Sequence, residues 1–261
     1  MAYTPGVILT VVQPDADCPL DRFGPWLAAA DADLELRTVR PFAGDAIPAV
    51  DEIGDALIVL GGAMHAHADA DHPWLPAVRA LLADAIVREV PTLGICLGAQ
   101  LLAVAAGGRV QVAAPPGREA GIVEIVPRPA VGSDQLLGVF AADVPADHPL
   151  AGGVILVMPS MHEDAVVDLP REATWLASSH LYPYQAFRLG DHAWGVQFHP
   201  EASPELFARW ADTHEDVDTA AVLAQFAEHA DRIEADGALL AARFVRLARA
   251  QVSSSAASTI R

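Results

Sequence analysis

Gly94-Ile95-Cys96-Leu97-Gly98 lies between two runs of different period. Before it, Val90 to Leu93 reads as the end of a buried strand. After it, Leu101, Leu102, Ala105 and Ala106 recur at three- and four-residue spacing, which is helical. Cys96 therefore falls at a strand-to-helix turn, with glycines on both sides to let the backbone fold tightly. A helix start presents free N–H groups and the positive end of the helix dipole, both of which favour negative charge. A thiol there has the setting of a nucleophile. A buried cysteine before a core helix would read the same way, so this segment alone leaves both readings open.

A second segment, Gly195-Val196-Gln197-Phe198-His199-Pro200-Glu201, supplies what a thiol nucleophile needs. Ala193 to Phe198 reads as a strand, and in extended chain residues i and i+2 point to one side. His199 and Glu201 are thereby placed to meet, with Pro200 stiffening the link. A carboxylate held against an imidazole fixes its tautomer, so thiol, base and orienting acid form an acyl-transfer triad.

In this order, about 100 residues apart, the two segments resemble those of class I glutamine amidotransferases. The resemblance runs from about Leu57 to Glu201, and within the family it is strongest to the amidotransferase domain of guanylate synthase. It implies a flavodoxin-like fold, Cys96 as nucleophile, His199 as base and Glu201 as its orienter. It implies an oxyanion hole from the backbone N–H groups of Gly62 and Leu97. It implies a substrate pocket bordered by Gln100, Gly61, His162 and Glu163. It implies a small-molecule amide donor, glutamine or a γ-glutamyl compound, and no cofactor. Ammonia would go to a separate acceptor or synthetase subunit. The alternatives are a stand-alone γ-glutamyl amide or peptide hydrolase and, from another class, a non-catalytic binding or regulatory homologue. The chain departs from the family at Glu163, where relatives carry glycine between histidine and aspartate. A carboxylate there is expected to weaken free glutamine if it points inward.

Composition fits one α/β domain. The chain has 261 residues, 52% of them hydrophobic, enough for a large core. With 16 basic and 34 acidic residues the formal charge is −18, which argues against nucleic acid as a partner, since phosphate contacts need clustered cations. Two cysteines make no disulfide framework, and a cysteine nucleophile needs a reducing compartment, so the cytoplasm is expected. Cys18, before Pro19, reads as incidental. Met1 to Gln13 lacks the basic start and cleavage site of a signal peptide. No membrane association is expected: the uncharged stretch from Val90 to Gly108 carries Pro91, several glycines and Gln100, and reads better as strand, turn and helix.

Outward from the elbow, strands are expected at Gly6 to Val12, Leu34 to Val39 and Ala56 to Leu60, with helices at Trp26 to Ala30 and Trp74 to Arg88. This alternation predicts a mostly parallel central sheet covered by helices on both faces. Further strands are expected at Ile122 to Val126, Val154 to Met158, Leu176 to Ser178 and Gln185 to Leu189. Ser203-Pro204 opens a helix. The expected organisation is an amidotransferase domain over 1–214, a C-terminal helical extension packed on it over 215–252, with Gly237 as a helix break, and a disordered tail over 253–261. One rival cluster, His65, His67, Asp69, Asp71 and His72, loosely resembles a metallo-hydrolase motif. Its spacing carries two extra residues, and only scattered residues such as His148 lie beyond it, so no metal is expected.

Overall fold

The computed structural model of the chain describes residues 6–141 and 153–259; His148 lies outside them. In chain order the regular elements are β1 (Ile8–Val12), α1 (Phe23–Ala30), β2 (Glu35–Val39), β3 (Ala56–Val59), α2 (Leu75–Val87), β4 (Thr92–Ile95), α3 (Leu97–Ala105), β5 (Arg109–Gln111) and β6 (Glu119–Pro127). They continue with β7 (Leu156–His162), β8 (Ala165–Asp168), β9 (Ala173–Ser178), β10 (Ala186–Leu189), β11 (Ala193–Val196), α4 (Pro204–Ala211) and α5 (Thr219–Thr259). Nine strands form one sheet in the order β2-β1-β3-β4-β11-β10-β9-β6-β7, and β5 pairs with β8 in a small second sheet. From β2 to β11 every pairing is parallel; from β11 to β7 every pairing is antiparallel. The strand–helix alternation of the N-terminal half accounts for the parallel part. In the antiparallel part, the β9–β10 and β10–β11 connections are short and carry no helix, as only antiparallel neighbours allow.

The central strands β3, β4 and β11 are buried on both sides, as a sheet covered on two faces requires, while the edge strand β2 has no buried residue. Ala56 and Ile58 of β3 face one core with Phe23, Leu27, Leu206, Phe207 and Phe226, from α1, α4 and α5. Leu57 and Val59 face the other, with Leu75, Val78, Leu82, Leu101 and Leu102, from α2 and α3. At the centre, α3 comes unusually close to the sheet. A Cβ on Gly98 would lie 2.0 Å from the Val59 carbonyl oxygen, and one on Gly94 would lie 2.5 Å from the Gly98 carbonyl oxygen. The two glycines of the elbow are thus needed for contact, not for unusual dihedrals.

Three expectations change. Residues 160–162, expected past the end of a strand, belong to β7, because they pair with Glu119 to Gly121. The strands β5 and β8 are three and four residues long, too short to show a period. Gly237 does not break α5, which runs unbroken from Thr219 to Thr259. A Cβ there would lie 2.7 Å from the Trp26 ring and 2.9 Å from the Pro200 carbonyl oxygen, so the glycine serves close packing. The same helix continues through residues 253–259, expected as a disordered tail; extending a nucleated helix through Ala and Ser adds a hydrogen bond for each residue fixed. Among the described residues no helix is long and apolar enough to cross a membrane.

Gly98→Ala is expected to lower stability by about 1–3 kcal/mol by pushing α3 off β3. Urea denaturation of the two proteins measures it, and a midpoint equal to wild type would refute the contact as the reason for the glycine.

Candidate active site

The register of the sheet brings the two signature segments together. β11 lies parallel to β4, with Gly195 opposite Gly94 and Val196 opposite Ile95. Where the strands end, the Cys96 N–H donates to the Val196 carbonyl at 2.8 Å. Cys96 caps α3 with φ 50° and ψ −107°, a strained conformation for a residue with a side chain. The chain beyond β11 is tied down by the His199 N–H, which donates to the Pro159 carbonyl at 2.8 Å, and by the Arg22 N–H, which donates to the Glu201 carbonyl at 3.2 Å.

His199 Nδ1 and Glu201 Oε1 are 2.7 Å apart, and both side chains are buried. Cys96 lies on the other side of the His199 imidazole, near enough to act on its charge. Trp210 packs its ring against the imidazole at 4.5 Å between centroids. Burial alone would push the His199 pKa down. The Glu201 carboxylate and Cys96 sulfur outweigh it, so the pKa is pushed up to about 10. Gly61 leaves room for this assembly: a Cβ on it would lie 3.2 Å from His199 Cε1 and 3.7 Å from Cys96 Cβ. Gly61 lines neither cavity at the site.

Two cavities meet at Cys96, Gly62, Ala63, Met161 and His214. The smaller, about 220 Å³, is lined by Gln100, Arg118, His162, Glu163 and Asp164. The larger, about 470 Å³, is lined by Asp15, Asp17, Cys18, His199, Trp210 and Asp212, with Arg209 beside them. Leu97, as the first residue of α3, has an N–H with no partner inside the helix. The turn after Gly62 is fixed by the Ala63 N–H, which donates to Asp15 Oδ2 at 2.9 Å.

Several pocket residues differ from expectation in detail. Gln100 Nε2 donates to the Asp164 carbonyl at 3.0 Å and to Gln197 Oε1 at 3.2 Å. Both His162 ring nitrogens face acceptors, the Asp164 carbonyl and Glu119 Oε2, so His162 is a wall held from behind. Ser160, Ser179 and Gln185 also donate to Glu119. Burial pushes the Glu119 carboxyl up, but the His162, Ser179 and Ser160 bonds win and hold it below the ordinary range. The Glu163 carboxylate pairs with Arg118 Nη2 at 3.0 Å, while Arg118 Nε donates to Asp216 at 3.0 Å. The expected repulsion of a substrate carboxylate by Glu163 is therefore offset by an adjacent guanidinium. Cys18 is buried beside the site, and burial, then Asp15, Cys96, Glu201 and Asp17, push its thiol far above the cysteine range. It stays a protonated, unreactive thiol.

Gln197 was not among the expected site residues. Its Nε2 donates to Cys96 Sγ at 3.4 Å. The signal lay in the motif itself, since Gln197, His199 and Glu201 recur every second residue, although the strand expected to reach Phe198 ends at Val196 and the chain bends at 197–198 and turns at 200–201. Trp210 carried no signal beyond an amphipathic helix. The His65–His72 loop is otherwise occupied: Asp69 is held by Arg79 in a two-pronged pair at 2.9 and 2.6 Å. Among the described residues no three His, Cys, Asp or Glu side chains converge on a metal position.

The model of the family "Glutamine amidotransferase class-I" matches residues 34–210, which contain Cys96, His199 and Glu201. The chain belongs to the class I glutamine amidotransferase family. Class I glutamine amidotransferases are enzymes, acting as amidotransferases and amide hydrolases. Among curated proteins, γ-glutamyl peptidase 3 of Arabidopsis thaliana is 30% identical over 159 residues, 60% of this chain and 59% of that protein. A glutamine-hydrolysing GMP synthase of Marinobacter nauticus is 36% identical over 120 residues, 46% of this chain and 21% of that protein. The chain thus aligns with less than two thirds of the length of either. A solved glutamine amidotransferase of Methylobacillus flagellatus superposes with TM-score 0.75 at 25% identity, covering 94% of this chain and 95% of that one.

The raised pKa of His199 predicts a pH dependence. A pKa lifted from 6.5 to about 10 on folding contributes stability that is complete below about 6.5 and lost as pH rises through about 10. Stability is therefore expected to fall from pH 7 to pH 10. Cys96→Ala, which removes one cause of the rise, should flatten that fall; equal slopes in urea titrations would contradict the coupling of the two side chains.

Proposed function

We propose that this chain hydrolyses the side-chain amide of glutamine or of a γ-glutamyl compound through a thioester on Cys96, with His199 as acid and base and Glu201 as its orienter. The observation that carries the reading is the chain of contacts from Glu201 through His199 to Cys96, closing on a strained helix N-terminus between two cavities. The Cys96 sulfur attacks the amide carbon. The carbonyl oxygen takes the charge, held by the Gly62 and Leu97 N–H groups; one such donor is worth about 3 kcal/mol of barrier. Collapse breaks the C–N bond as His199 gives its proton to the departing nitrogen. A water then adds to the thioester, losing a proton to His199. The C–S bond breaks, releasing the acid and restoring thiolate and imidazolium.

The smaller cavity suits the γ-glutamyl portion. Its Arg118–Glu163 pair offers a cation to the substrate α-carboxylate and an anion to the α-ammonium, matching a zwitterionic amino-acid head. Two fates of the nitrogen remain within this reading. Similarity to GMP synthase supports ammonia passed to a separate synthetase. Similarity to γ-glutamyl peptidase and the size of the larger cavity support release of an amine by the chain acting alone.

Cys96→Ala and His199→Ala should each reduce amide hydrolysis about a thousandfold or more, because triad members act as a unit. A glutamine-like electrophile should label Cys96 and spare Cys18 in intact-mass analysis; wild-type turnover by the Cys96 variant would end the proposal. Glu163→Gln should raise KM for glutamine about tenfold with kcat little changed, the pattern of lost uniform binding. Michaelis kinetics check it, and a lowered KM would return Glu163 to the repulsive role expected from sequence.

A further inference from the structure

The larger cavity is out of scale with ammonia. A water-sized molecule takes about 30 Å³ of liquid volume, against about 470 Å³ here. Its position is equally informative. His199 lines this cavity and not the smaller one. Since His199 protonates the departing nitrogen, any substituent on that nitrogen projects to the His199 side, into the larger cavity.

Resting on the amide-hydrolysis reading above, we propose that the larger cavity is a leaving-group pocket for an amine bearing a second positive charge, and that γ-glutamyl amides of diamines are the preferred donors over glutamine and γ-glutamyl amino acids. The inner wall is apolar, with Trp210 and Met161 nearly buried. It suits a short alkyl chain. The mouth carries the carboxylates of Asp15, Asp17 and Asp212, against which Arg209 is the cation among the lining residues. His214 does not redress the balance: burial and the neighbouring Arg118 push its pKa below the ordinary imidazole value, so it is neutral at pH 7. The same negative field acts on Cys18, whose thiol Asp15, Glu201 and Asp17 help to keep protonated. A chain with formal charge −18 adds long-range attraction for cations. An amino-acid leaving group would bring its carboxylate against the acidic mouth; a neutral alkylamine would gain the apolar wall alone. The chemistry balances as before: the C–N bond breaks, His199 supplies the proton, and water regenerates the enzyme.

The test uses the full chain and four donors: glutamine, and the γ-glutamyl amides of butylamine, 1,4-diaminobutane and 4-aminobutyrate. These vary the charge on the leaving group at nearly constant length. The diamine amide is expected to have kcat/KM at least about tenfold above the butylamide, with the aminobutyrate amide lowest. Raising salt should narrow that spread, as screening weakens charge attraction at a solvent-open mouth. Asp17→Asn combined with Asp212→Asn, both exposed positions, should cut the diamine-to-butylamide ratio severalfold. Asp15 is left intact because it holds the Ala63 N–H. Glutamine hydrolysis with a flat or anion-first order among the amides would overturn the pocket assignment and leave the amide-hydrolysis reading standing. Absence of turnover with every donor, together with no acylation of Cys96, would remove both.

Discussion

The Val59 carbonyl oxygen lies 2.0 Å from where Gly98 would carry a Cβ, and that approach sets the rest of the site. It seats the first turn of α3 directly on β3, so the chain leaving β4 has no room for an ordinary connection. Cys96 takes the bend with a positive φ, and it lines both cavities of the site. The N–H groups at the start of α3 face the same opening. One steric constraint, satisfied by two glycines, therefore sets a thiol beside the free N–H groups of a helix start.

The second half of the site rests on electrostatics in a dry setting. Burying the Glu201 carboxylate is costly, and His199 at 2.7 Å is what makes it tolerable. Its second oxygen, Oε2, has no hydrogen-bond partner among the described residues. Trp210 packs on the imidazole and both members of the pair are buried, which strengthens their attraction. The Pro200 carbonyl also lies against Gly237 of α5, so the last helix supports the loop that carries the acid.

The parts most legible in the sequence were those written in short-range pattern. Strand before Cys96, helix after it, and the spacing of His199 and Glu201 all follow from periods of 3.6 and 2. The antiparallel half of the sheet was less legible because pairing depends on partners distant in sequence. The strands β5 and β8 are too short to carry a period. Gly237 misled because glycine has two uses, ending a helix or letting another chain come close, and sequence alone does not separate them. Cys18 and the Arg118–Glu163 pair were illegible for a third reason: their meaning comes from neighbours 45 or more residues away or from burial, neither of which local pattern records.

The backbone at Cys96 sets thermodynamic stability against chemistry. A positive φ with a side chain costs of order 1–3 kcal/mol, a sizeable part of the 5–15 kcal/mol that separates a typical fold from its unfolded ensemble. Glycine would relieve that strain, so selection for folding alone would favour glycine over a thiol at this position. The thiol persists only in a protein whose two apolar layers leave stability to spare, and as that margin narrows, replacement of Cys96 by glycine becomes the change that folding favours.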